Sequence, residues 1–186
     1  MLLISTGVPA NLPIALDHLQ TAVRLNPGSA VAHGNLAVAL EALNHPAEAI
    51  DEAQAALRIA PDSVDAHYTL GHLLAKIPDR SNEAIEHFRA ALKGRPDFAE
   101  AHNSLGIELT KIPGATFEAL FEFEEALRLK PDLRAAHINL GFVLAKIPGR
   151  IPEAIGHLRI AVRMQQDPAS QQLLDDLEAR QARGEQ

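Results

Sequence analysis

Nine histidines, at positions 18, 33, 45, 67, 72, 87, 102, 137 and 157, are the side chains of this sequence best suited to holding a metal or carrying protons. Their spacing argues against both. No two lie three or four residues apart, so no helix presents the paired imidazoles that zinc enzymes use. His33, His67, His102 and His137 instead recur at a near-constant interval, and His18, His87 and His157 form a second, sparser series. Equivalent places on neighbouring helices stand about 10 Å apart, whereas one ion draws its ligands to about 2 Å. The expectation is histidines that pack, with no metal and no cofactor. The chain has no cysteine, which excludes disulfides and thiolate sites. With no nucleophile–base pair and no phosphate-cradling glycine loop, no catalytic residue is assigned and an enzyme is not expected.

Two charged series follow the same interval. Lys76, Lys111 and Lys146 close three successive segments, where a cation suits the negative end of a helix dipole. They also offer a basic rim for carboxylates of a bound peptide. Glu48, Glu83, Glu118 and Glu153 fall where first-turn anions are favoured. The net charge of −7 opposes binding to nucleic acid, whose phosphates need a basic face. No apolar run approaches the roughly 20 residues of a membrane span. The short apolar start, Met1 to Ile4, lacks the basic flank and cleavage site of a signal peptide.

The elements that carry these series come from a repeat. His33-Gly34-Asn35-Leu36-Ala37 aligns with His67-Tyr68-Thr69-Leu70-Gly71, His102-Asn103-Ser104-Leu105-Gly106 and His137-Ile138-Asn139-Leu140-Gly141. Behind each stands Glu-Ala-Ile or Glu-Ala-Leu (Glu48, Glu83, Glu118, Glu153), and then Ala56-Leu57, Ala91-Leu92, Ala126-Leu127 and Ala161-Val162. Pro-Asp at Pro61, Pro96 and Pro131 marks the turns, and the period is 34 residues once and 35 thereafter. Each unit reads as two helices. The first ends near Lys76-Ile77-Pro78, because proline cannot continue a helix. The second begins near Ser81 as N-cap and buries Ala84, Ile85, Phe88, Ala91 and Leu92 at helical spacing. Aromatics are only 4% of the chain and tryptophan is absent, so a core of Ala, Leu and Ile suits closely packed helices.

Leu70-Gly71, followed by Ala84, Phe88, Ala91 and Pro96, resembles the tetratricopeptide repeat, and the likeness recurs over roughly residues 7 to 168. His33, His67, His102 and His137 stand where that family often has tryptophan. The resemblance implies an all-α fold, a right-handed α-α superhelix with a C-terminal capping helix. The implied divisions are a partial first repeat at 1–29, full repeats at 30–63, 64–98, 99–133 and 134–168, and a cap and tail at 169–186. It also implies a protein-interaction scaffold that binds a protein or peptide in a concave groove lined by the first helices. Groove residues by register are Asn35, Val38, Tyr68, His72, Asn103, Ile107, Ile138, Asn139 and Phe142, with Lys76, Lys111 and Lys146 on the rim. Phe142 is the expected anchor, since binding energy concentrates in buried aromatics. The lysine and asparagine clamp of chaperone-tail binders is not matched, as its places hold Gly34, Val38, Tyr68 and His72. The asparagine ladder of O-linked N-acetylglucosamine transferases is matched at Asn35 and Asn139 but not at Thr69 and Ser104.

Repeat alignment sets Met1 opposite Leu140, so the array is expected to begin in mid-repeat. That expectation carries three alternatives: a piece of a longer array, including the targeting arm of a larger enzyme, a natural truncation, or a module that self-associates through its open first edge. At the other end, a helix from Ala169 to about Arg183 is expected to turn Leu173, Leu174 and Leu177 inward and charges outward, as a terminal cap requires.

Overall fold

The computed structural model describes residues 12–184, and no strand occurs among them. The chain divides into two compact units, Met1–Pro96 and Asp97–Gln186. In the first, α1 (Leu12–Leu25) packs on α2 (Ala30–Ala42), which forms a hairpin with α3 (Pro46–Ile59). A second hairpin, α4 (Val64–Leu74) with α5 (Ser81–Gly94), joins it through α3 against α4. The second unit repeats the plan with α6 (Ala99–Leu109) and α7 (Thr116–Leu129), then α8 (Arg134–Leu144) and α9 (Ile151–Met164). There α7 packs on α8, and α10 (Pro168–Ala182) lies against α9 with Leu174 and Leu177 buried.

Small residues set how closely each pair of helices approaches. Ala49, Ala53 and Ala56 are fully buried in α3, and Ala84 and Ala91 in α5. The recurring Leu-Gly has a direct steric cause. A Cβ on Gly106 would stand 2.6 Å from Cε1 of the buried Phe123 ring. On Gly141 it would stand 2.8 Å from Cγ of Leu158. The ring or branched side chain of the second helix thus rests on bare backbone of the first.

The hairpin turns repeat a left-handed residue at one register position: Asn44 (φ 62°), Asp79 (φ 64°), Gly114 (φ 85°) and Gly149 (φ 78°). These are the residue types that tolerate this conformation. Capping is less regular. Ser29, Ser63 and Asp167 accept hydrogen bonds from the backbone N–H groups of Ala32, Ala66 and Ser170. Phe98 and Leu133, which replace the serines in the second unit, make no such bond. Ser81 corrects the expectation from sequence: it is the first helical residue of α5, and the N-cap is Arg80. Arg80 instead donates to Glu83, Nε to Oε1 at 2.7 Å, so a side-chain ion pair occupies the first turn. The half-repeat expected over residues 1–29 lies outside the described residues for positions 1–11. Its described portion is α1.

Candidate functional site

In the first unit the exposed faces of α2 and α4 border a cleft of about 300 Å³, lined by Val31, Gly34, Asn35, Val38, Asp65 and Thr69. Nothing lies within 4 Å of a Cβ built on Gly34, so its backbone forms an open floor. Val31, Asn35 and Val38 are exposed around it. Tyr68 is half-buried, its ring stacked on His72 with centroids 6.3 Å apart and tilted against Phe88 at 5.9 Å. His72 and Lys76 converge on one carboxylate: Glu41 Oε1 accepts from Lys76 Nζ at 2.6 Å and lies 3.0 Å from His72 Nδ1. This end of the face satisfies its own charges.

The second unit holds the remaining groove residues predicted from sequence. Asn103 is only 9% exposed, and its Oδ1 accepts a hydrogen bond from Asn139 Nδ2 at 2.9 Å. Ile107 and Ile138 are half-buried, whereas Phe142 is exposed. The three rim lysines part company here. Lys111 Nζ donates to both oxygens of Glu108, at 2.6 and 2.8 Å, and that glutamate is 2% exposed. Lys111 therefore neutralises a buried carboxylate. Lys146 Nζ lies 4.0 Å above the Phe142 ring centroid, and no carboxylate among the described residues pairs with it. A cation over an exposed ring is worth about 0.5–1 kcal/mol, which leaves the ammonium available to a stronger partner.

Beside Lys146 the structure places a residue that sequence reasoning passed over. Phe117, in the first turn of α7, is 77% exposed and shares a cleft of about 360 Å³ with Thr110, Phe142, Lys146, Ile147 and Pro148. Its counterparts in the other repeats are Ala47, Asn82 and Pro152. That departure from the repeat was the available signal.

The histidine series also meets an unpredicted partner. His33 Nδ1 lies 2.5 Å from Glu52 Oε2, and His102 Nδ1 lies 2.6 Å from Glu122 Oε2. At the same register, His67 meets His87 and His137 meets His157, Nδ1 to Nδ1 at 2.9 Å in both. The other nitrogen, Nε2, of His33, His67 and His137 donates to the carbonyl of Pro27, Pro61 and Pro131 at 2.9 to 3.1 Å. A carbonyl only accepts, so Nε2 carries the hydrogen. In the neutral rings of His67 and His137, Nδ1 is then the acceptor, and His87 and His157 donate. Burial, reinforced by the neighbouring His67, pushes His87 below the usual histidine range, and burial with His137 does the same to His157. Among the described residues no group of three or more His, Asp or Glu side chains is placed to hold a metal. No helix among them is long and apolar enough to cross a membrane.

Residues 10–64 match the sequence model of the tetratricopeptide repeat family. A search of curated proteins gave no match. Among solved structures, MamA superposes with a TM-score of 0.72 at 20% identity, over 86% of this chain and 91% of that one. YrrB, described as a TPR protein with an unusual peptide-binding site, gives 0.68 at 25% identity, over 86% of this chain and 81% of that one. PilF of Pseudomonas aeruginosa gives 0.80 at 23% identity, over 90% of this chain and 75% of its own.

Proposed function

We propose, from the tetratricopeptide repeat fold of this chain, that it is a protein-interaction module that holds an extended segment of a partner against the first helices of its hairpins. In this reading residues 1–29 are a partial first repeat, 30–63, 64–98, 99–133 and 134–168 full repeats, and 169–186 a capping helix and tail. No catalytic step is assigned to it. The observation that carries the proposal is the cleft between α2 and α4, where Gly34 leaves open floor and Val31, Asn35 and Val38 stand exposed around it. A mixed apolar and amide lining of this kind suits a peptide, which offers backbone hydrogen-bonding groups and side chains together. The peptide-binding relative YrrB supports the same assignment by analogy.

The test is a photo-crosslinking amino acid introduced at Val38, with a second copy of the experiment at Glu86 on the exposed side of α5. Adducts with proteins of the source organism are expected from position 38 and not from position 86. Equal yields from the two positions, or none from position 38, would overturn the assignment of this face.

A further inference from the structure

One relation between the two units bears on what kind of partner the second unit takes. In the first unit, Glu41 sends its carboxylate between His72 and Lys76. Two repeats further along the sequence, the matching positions are Thr110, Phe142 and Lys146, and Ala47 is matched by Phe117. The positions that line the second-unit cleft thus have counterparts in the first unit with different chemistry. Lys146 retains the ammonium. The carboxylate that would neutralise it has become Thr110, whose hydroxyl is already committed to the Ile107 carbonyl at 2.6 Å. The histidine has become an exposed phenylalanine, and an alanine has become a second one. No residue lining the second-unit cleft is acidic, in a chain with 24 acidic against 17 basic residues.

We infer that the Thr110–Phe117–Phe142–Lys146 cleft is a docking site for an acidic residue next to a bulky apolar one on a partner polypeptide. The partner's carboxylate takes the place that Glu41 holds in the first unit and pairs with Lys146. The adjoining apolar side chain lies between Phe117 and Phe142, against Ile147 and Pro148. Lys146 gives up its contact with the Phe142 ring for a charge-assisted hydrogen bond, which is the stronger interaction. The two phenyl rings lose exposed surface as the apolar side chain covers them. This inference rests on the protein-interaction reading and names the partner chemistry in the second unit, where Phe142 on the first helix α8 meets the hairpin turns and the start of α7.

The experiment is selection from a randomised seven-residue peptide library displayed on phage, against the full chain and in parallel against Thr110→Glu. That substitution restores the internal carboxylate at a position already in right-handed helical conformation. Peptides with Asp or Glu adjacent to Leu, Ile, Met or Phe are expected to be enriched on the natural chain and lost on Thr110→Glu. An enriched peptide is then compared with its Asn or Gln counterpart. A preference of about tenfold for the acid is expected, as for a hydrogen bond to a charged group, and Lys146→Gln should erase it. Phe117→Ser should weaken both peptides. Absence of acidic–apolar enrichment, or enrichment that survives Thr110→Glu, would overturn the inference. So would an acid preference unaltered by Lys146→Gln. If Thr110→Glu instead abolished only self-association of the chain, the occupant would be a second copy and this partner assignment would fall. None of these outcomes touches crosslinking from Val38, so failure here is separable from failure of the proposed function.

Discussion

Nδ1 of His67 lies 2.9 Å from Nδ1 of His87 across the contact between α4 and α5. Because His67 spends its Nε2 hydrogen on Pro61, this contact survives only while at least one of the two rings keeps a lone pair on Nδ1. His137 and His157 repeat the arrangement between α8 and α9, with Pro131 as the carbonyl. Alternate hairpins are thus bridged by an uncharged or singly charged imidazole pair, and the others by histidine and glutamate.

The first prediction is a pH dependence. His87 and His157 have folded-state pKa values below the ordinary 6.5, chiefly through burial and next through the facing histidine. The groups facing His87 are His67, Glu86, Glu83 and Arg80, and those facing His157 are His137 and Glu153. A depressed histidine pKa means that the unfolded chain takes up the proton first. Stability from these pairs is therefore full above about 6.5 and is lost as pH falls through the lowered folded values. Denaturant titrations between pH 7.5 and about 5 should show this loss. His87→Glu with His157→Glu installs the histidine–glutamate pair found at Glu52 and Glu122, and the acid-side loss should shrink. An unchanged slope would show that the pairs do not govern it.

A second prediction separates glycines by their surroundings. Gly106→Ala forces a methyl group onto Phe123, which is fully buried and has nowhere to retreat, and should cost about 1–3 kcal/mol. Gly34→Ala and Gly156→Ala meet nothing within 4 Å and should each stabilise by about 0.5–1 kcal/mol through helix propensity. Gly34→Ala has a further consequence, because its methyl fills the floor of the α2–α4 cleft. Thermal melts should rise in both variants, while crosslinking from Val38 should fall only with Gly34→Ala.

A third prediction concerns two lysines at matching ends of their hairpins' first helices. Lys111→Ala strands the carboxylate of Glu108, which is 2% exposed, and should cost about 1–3 kcal/mol. Lys146→Ala removes only a contact with an exposed ring and should cost no more than about 1 kcal/mol. Urea midpoints of the two variants give the comparison. Equal losses would mean that the Glu108 pair contributes nothing beyond a surface contact.

How far the sequence discloses this molecule depends on the distance over which each feature is encoded. Leu-Gly at 70–71, 105–106 and 140–141 discloses the hairpins because the clash that forbids a Cβ lies within one repeat. The partner of Lys76 is not disclosed, since Glu41 belongs to the previous repeat and the next lysine turns to Glu108 on its own helix. The histidines show their period but not their pairing, because the facing position alternates between glutamate and histidine. Ser81 has the right chemistry for a cap, but its backbone already lies inside α5. Phe117 escapes notice because an exposed aromatic in a first turn disturbs no helical periodicity.

The last prediction tests how the second unit is closed. Asp167 serves two purposes: one oxygen accepts from the Ser170 N–H at 2.9 Å as the N-cap of α10, and the other pairs with Arg134 at the start of α8. Arg134 also donates through Nε to the Ala161 carbonyl at 3.2 Å, so the Arg134–Asp167 pair links three helices. Asp167→Asn keeps an oxygen for the cap and gives up the charge, which should cost about 0.2–1 kcal/mol for a partly exposed pair. Asp167→Ala loses cap and pair together and should cost about 1–2 kcal/mol, most of it from the cap. Hydrogen exchange of α10 amides reports the difference locally: protection should fall modestly in the Asn variant and strongly in the Ala variant. Equal exchange in the two variants would place the stabilisation in the ion pair and remove the cap from the account.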